Sequence, residues 1–69
     1  MNFEAILKDH KLPRSVRYAM LRTIIVEKAK NRKDKRELLF LVGYELKGRL
    51  VPGSPNYWLF EDGTKARFQ

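Results

Sequence analysis

The sequence predicts an α+β fold, two N-terminal helices packed on a three-stranded antiparallel β-meander. Three observations carry that expectation. Apolar residues recur at helical spacing up to about residue 31. Period-two alternation then takes over around Val42 to Leu50. Near the C-terminus, Asp62-Gly63 separates two short aromatic-rich runs.

Phe3, Ile6 and Leu7 fall at i, i+3, i+4 and predict a short amphipathic helix over about residues 2–9. Lys11-Leu12-Pro13 interrupts it, and Pro13 suits the opening of a second helix. On that helix Tyr18, Met20, Leu21, Ile24 and Ile25 share one arc. Asn31 reads as a left-handed stop. Asp34-Lys35-Arg36-Glu37 has the spacing of a helix-opening capping box. Against it, Val42, Tyr44, Leu46, Gly48 and Leu50 alternate with Gly43, Glu45, Lys47 and Arg49, which favours a strand over about 38–51, bulged at Gly43 or Gly48. The alternative makes residues 35–51 a third helix, giving three helices plus a C-terminal β-hairpin wing in a winged-helix-like layout.

Pro52-Gly53-Ser54-Pro55-Asn56 reads as a turn, since neither proline can donate to a ladder. A two-residue Asp62-Gly63 turn then pairs Tyr57 with Phe68 and Leu59 with Ala66 on one face. The other face pairs Trp58 with Arg67 and Phe60 with Lys65, rings against cations. A three-residue bulged turn would shift every pair.

Sixty-nine residues read as a single small basic domain, residues 1–69. A chain this short buries only about 60% of its unfolded surface, which leaves little stability in reserve. It has no cysteine, so disulfides and thiolate metal sites are excluded, and the lone His10 cannot form a histidine cluster. No run approaches the ~20 apolar residues that span a bilayer, and Met1-Asn2-Phe3-Glu4 does not resemble a secretory signal. These features lead to the expectation of a cytoplasmic protein without a membrane role, metal or cofactor.

The net charge of +7 is confined to one third of the chain. Arg14, Arg17, Arg22, Lys28, Lys30, Arg32, Lys33, Lys35 and Arg36 stand against only Glu27 and Asp34. The flanking segments each sum to zero. Concentrated like charge repels itself and attracts polyanions, so it speaks about partners more than about fold. Arg14 and Arg17 also sit where a helix opens, and the dipole there disfavours cations. The expected function is nucleic-acid binding, DNA before RNA, in a regulatory role. The nine cations would contact phosphates, with Lys65 and Arg67 as secondary contacts. The bland reading of the same block is a solvated connection that keeps a small protein in solution.

A second class of function is an adaptor or inhibitor docking on an acidic protein surface, with Tyr57, Trp58 and Phe60 as its anchor. A third is association with RNA or ribosomes. A homodimer is the expectation for a reader of this size, although no interface is legible. Catalysis is not expected. Ser15 and Ser54 have no neighbouring base, His10 has no partner, and the four glycines are isolated.

Overall fold

The computed structural model describes residues 2–69. Three helices lead into a three-stranded antiparallel sheet: α1 (Phe3–Leu7), α2 (Arg14–Lys28), α3 (Arg32–Glu45), β1 (Gly48–Val51), β2 (Tyr57–Phe60) and β3 (Lys65–Arg67). The strands run as a meander in the order β1-β2-β3. The α+β class and the meander are as the sequence predicts. The third helix belongs to the alternative reading.

Each helix start has an identifiable cap. The Asn2 side chain accepts from the Ala5 N–H at 2.7 Å. Asn31 is extended (φ −153°) and accepts from the Asp34 N–H at 2.9 Å. It therefore opens α3 instead of closing α2 in a left-handed conformation, and the box lies one turn earlier than predicted. Pro13 offers no side-chain cap to α2. The hairpin supplies one from a distance: Asp62 accepts from the Arg14 N–H at 2.9 Å, and the Thr64 hydroxyl accepts from the Ser15 N–H at 3.1 Å.

The strand expected over 38–51 is a helix to Glu45 and a strand only from Gly48. Leu39, Val42, Gly43 and Leu46 follow i, i+3, i+4, i+7, and all four are buried. The period-two pattern arises because it straddles two elements. Val42 and Leu46 lie a helical turn apart, whereas Gly48 and Leu50 lie on a strand. Lys47, at φ +62°, makes the switch between them. Glu45 and Arg49 do not intrude on the apolar stripe, since Glu45 is exposed and Arg49 is no longer on the helix.

One core holds these layers together, formed by Ile6, Tyr18, Leu21, Ile25, Leu39, Val42, Leu46, Trp58, Phe60 and Phe68. Trp58 and Tyr18 are completely buried at its centre. Burying a side chain of indole size is worth roughly 4–6 kcal/mol at ~25 cal/mol per Å². Gly43 makes that placement possible, because a Cβ there would overlap the Trp58 ring. The Tyr44 ring meets Trp58 edge-on at 5.1 Å, and Phe60 and Phe68 complete the aromatic group.

The hairpin register corrects the predicted pairs. The Gly63 N–H donates to the Phe60 carbonyl and the Phe60 N–H to the Thr64 carbonyl, each at 2.9 Å. Gly63 adopts φ +84°. This is a three-residue turn with a left-handed glycine. The pairs are therefore Tyr57 with Arg67, Trp58 with Ala66 and Leu59 with Lys65. Trp58 and Phe60 face the core, while Tyr57, Leu59, Lys65 and Arg67 face away from it.

Candidate functional site

The predicted cations fall into three groups. The first comprises Arg14 and Arg17, which serve the fold. Arg17 is only 4% exposed, and its guanidinium donates to the Leu7 and Leu12 carbonyls at 3.0 and 3.1 Å. It thereby ties the end of α1 to the start of α2. Arg14 donates to the Leu46 carbonyl at 3.3 Å and closes α3. Both offset the unfavourable dipole at the start of α2 by reaching carbonyls at the ends of other segments. Arg17 is accordingly removed from the predicted phosphate contacts.

The second group is Lys28 and Lys30, at the turn between α2 and α3. They line an open groove together with Asp34, Glu37, Leu38 and Leu41. Two cations and two carboxylates make that groove neutral.

The third group forms a basic rim. Arg32, Lys35 and Arg36, on the first turns of α3, line an open recess of about 360 Å³ with Gln69. Arg36 and Gln69 continue into a second depression lined by Pro55, Asn56, Arg67 and Phe68. No carboxylate side chain lines either recess. Arg36 is held in place by aromatic rings, its guanidinium lying 5.3 Å from the Phe40 centroid and 5.4 Å from that of Phe68. Such contacts are worth about 0.5–1 kcal/mol at exposed sites. Arg22 donates to the Arg67 carbonyl at 2.5 Å and lies 5.9 Å from the Tyr18 ring. It braces the rim from beneath. Lys33 is exposed on the opening turn of α3.

Past Arg67 the charge continues onto the outer face of the sheet. Arg49, Leu59 and Lys65 stand in one cross-strand row, and Val51, Tyr57 and Arg67 in the next. The Lys65 ammonium sits 5.5 Å from the Tyr57 ring. The expected alternation of ring and cation is therefore present, with Tyr57 in the place given to Trp58 and Phe60. An anchor of Tyr57, Trp58 and Phe60 does not form at the surface, because Trp58 is completely buried and Phe60 nearly so. Sequence reasoning missed Arg49, whose outward position follows once Leu50 is read as the inward partner of Trp58.

The Tyr18 hydroxyl supports the rim, donating to the Phe68 carbonyl at 2.7 Å inside the core. Burial pushes its pKa up to about 12, against a smaller downward pull from the Trp58 indole and the Arg22 cation. The Trp58 Nε1 itself is buried without a well-formed hydrogen bond. At the start of α2, one turn before Tyr18, loss of water works to raise the Asp62 pKa. The Arg14 N–H, the Thr64 hydroxyl and N–H, and the Arg14 charge outweigh it and hold the carboxyl below its usual range.

Among the described residues, Lys8–Glu4 is the only ion pair within 4 Å, and it lies on α1. The rim cations thus have no carboxylate partner. None of the helices is long and apolar enough to cross a membrane. No protein family, curated protein or solved structure matches the chain.

Proposed function

We propose that this protein binds nucleic acid, DNA in preference to RNA, as a small regulatory protein that contacts phosphates without catalysing a reaction. The observation that carries the reading is the rim itself. Arg32, Lys35 and Arg36 converge with Arg67 around open recesses that no carboxylate side chain lines. Guanidinium groups pair with phosphate oxygens through two parallel N–H donors, and the Arg36 residue is exposed. Lys33 and Lys65 extend the contact to six cations. Arg49 and Tyr57 on the sheet face offer a flat surface beside it, suited to backbone tracking and base stacking. A cytoplasmic location fits this role. The adaptor reading loses support with the burial of Trp58 and Phe60.

Six neutralised phosphates on duplex DNA correspond to a log–log salt slope of about −5, and so to roughly a thousandfold loss of affinity between about 50 and 200 mM salt. Titration of random-sequence duplex, single-stranded DNA and RNA at three salt concentrations measures it. The double variant Arg36→Gln/Arg67→Gln should lower the slope by about two units. Lys28→Gln should leave it nearly unchanged. A response to salt that is flat for all three ligands would remove the phosphate-contact reading.

A further inference from the structure

We infer that the outer face of the sheet takes single-stranded nucleic acid, with a base stacked on Tyr57 and the phosphates passing the cations at its margins. The inference deepens the phosphate-contact reading of the basic rim and rests on it.

The composition of the face carries the argument. An antiparallel sheet with one solvated face ordinarily sets polar residues outward. Here the two adjacent outward rows hold Arg49, Leu59 and Lys65, then Val51, Tyr57 and Arg67. Three of these residues are apolar, three are cations, and none is an anion. Val51, Tyr57 and Leu59 remain partly exposed, because the core and its helices lie on the opposite face. Tyr57 and Leu59 occupy the middle strand, and the three cations flank them on the edge strands. Apolar surface bordered by positive charge suits a polyanion that carries flat aromatic bases.

The face adjoins the rim. Arg67 lines the depression that holds Arg36 and Phe68, and it also lines the one formed by Tyr57, Lys65 and Ala66. A strand leaving the rim at Arg36 therefore reaches Tyr57 along cation-lined surface. Farther on, Lys47 and Arg49 line a third depression with Leu59 and one carboxylate, Glu61. The Lys65 ammonium, 5.5 Å from the Tyr57 ring, stands on a flexible stem and can exchange the ring for a passing phosphate.

A duplex gains nothing from this surface. Its base faces are hidden in the stack, and its grooves present base edges, to which Val51 and Leu59 offer no hydrogen-bonding side chain. Nor does α3 suit a groove. From Glu37 onward it exposes Glu37, Leu38, Leu41, Tyr44 and Glu45, which would set two carboxylates against the phosphates.

Fluorescence anisotropy with labelled oligothymidine and a random-sequence duplex of equal length, at low and high salt, tests this. Phosphate contact alone favours the duplex, whose charge is denser. Binding of the strand about tenfold or more tightly than the duplex is therefore expected only if bases are contacted. Tyr57→Ala and Tyr57→Leu should each weaken the strand about five- to thirtyfold, as for one lost stack, and leave the duplex unchanged. Tyr57→Phe should keep the wild-type affinity, and Trp58 emission checks that each variant is folded. A duplex bound as tightly as the strand, with both responding to salt, overturns the inference and leaves the phosphate-contact reading standing. Strand affinity indifferent to both Tyr57→Ala and Tyr57→Leu overturns it as well. Displacement by polyglutamate as readily as by unlabelled oligothymidine overturns it in favour of an acidic protein chain. If neither ligand responds to salt, both readings fall together.

Discussion

The α2–α3 pair has arginines at both ends, and the two ends use them differently. Where α2 opens and α3 closes, Arg14 and Arg17 reach the carbonyls of Leu46, Leu7 and Leu12, and Asp62 caps α2 from the hairpin. Where α3 opens, Arg32 and Arg36 face solvent in recesses without a carboxylate side chain. The same residue type is thus a helix cap in one place and an unengaged charge in the other. Density of positive charge along the chain is consequently a poor guide to which cations are available. What distinguishes them is whether an orphan carbonyl at a helix end lies within reach.

The difference can be broken most forcefully at Arg17. Replacement by Met should leave two part-buried carbonyls without these donors and cost about 2–4 kcal/mol in urea unfolding. Arg17→Lys should recover less than half of that, because a single ammonium nitrogen replaces the separate Nε and Nη1 donors that reach carbonyls on two segments. A loss below about 1 kcal/mol would mean that this end does not depend on its arginines. Affinity for DNA, corrected for the folded fraction, should not change.

Tyr18 sharpens the comparison from the core side, since its hydroxyl holds the Phe68 carbonyl next to the rim. Its folded pKa of about 12 lies above the ordinary phenol value of 10.0. The unfolded chain therefore ionises first as pH rises. The contribution is complete below about pH 10, falls between about pH 10 and 12, and amounts to at most ~3 kcal/mol. Alkaline unfolding followed in parallel with Tyr18→Phe should show a steeper decline in the wild type. Equal slopes would remove Tyr18 as the cause.

The smallest effect is expected at Asp62. Its folded pKa lies below that of the unfolded chain, so its contribution is present above the ordinary carboxylate range and lost as pH falls through the lowered value. Asp62→Ala should cost roughly 1 kcal/mol at neutral pH, as for a lost helix cap. It should also flatten the acid side of the stability profile. DNA affinity should be untouched, because this cap lies at the end of α2 away from the rim.

Much of this arrangement was legible in the residues. The breaks at Pro13 and Pro52–Asn56, the first two helices and the C-terminal hairpin all follow local rules that the structure obeys. The α3–β1 boundary was not legible, because an alternation running from Val42 to Leu50 hides a helix end at Leu46 and a left-handed Lys47. Asp62-Gly63 marks the position of the hairpin turn but not its length, and one extra residue put Ala66 and Phe68 on the same face as Trp58 and Phe60. The roles of Arg14 and Arg17 were hidden for another reason. Their partners are backbone carbonyls, which every residue carries and no sequence pattern distinguishes. The rim itself was half legible: the block of charge is plain in the chain, whereas its junction with Arg67 is a product of the fold.

Trp58 is the chain's one tryptophan and sits wholly inside the aromatic core, against Gly43, Tyr44 and Phe68. Its fluorescence is therefore a label-free optical gauge of whether the chain is folded. Emission should move to longer wavelength on unfolding as the indole meets water. A ligand settling on the basic rim stays clear of the indole, so any large change in emission on adding DNA would signal that the core had opened.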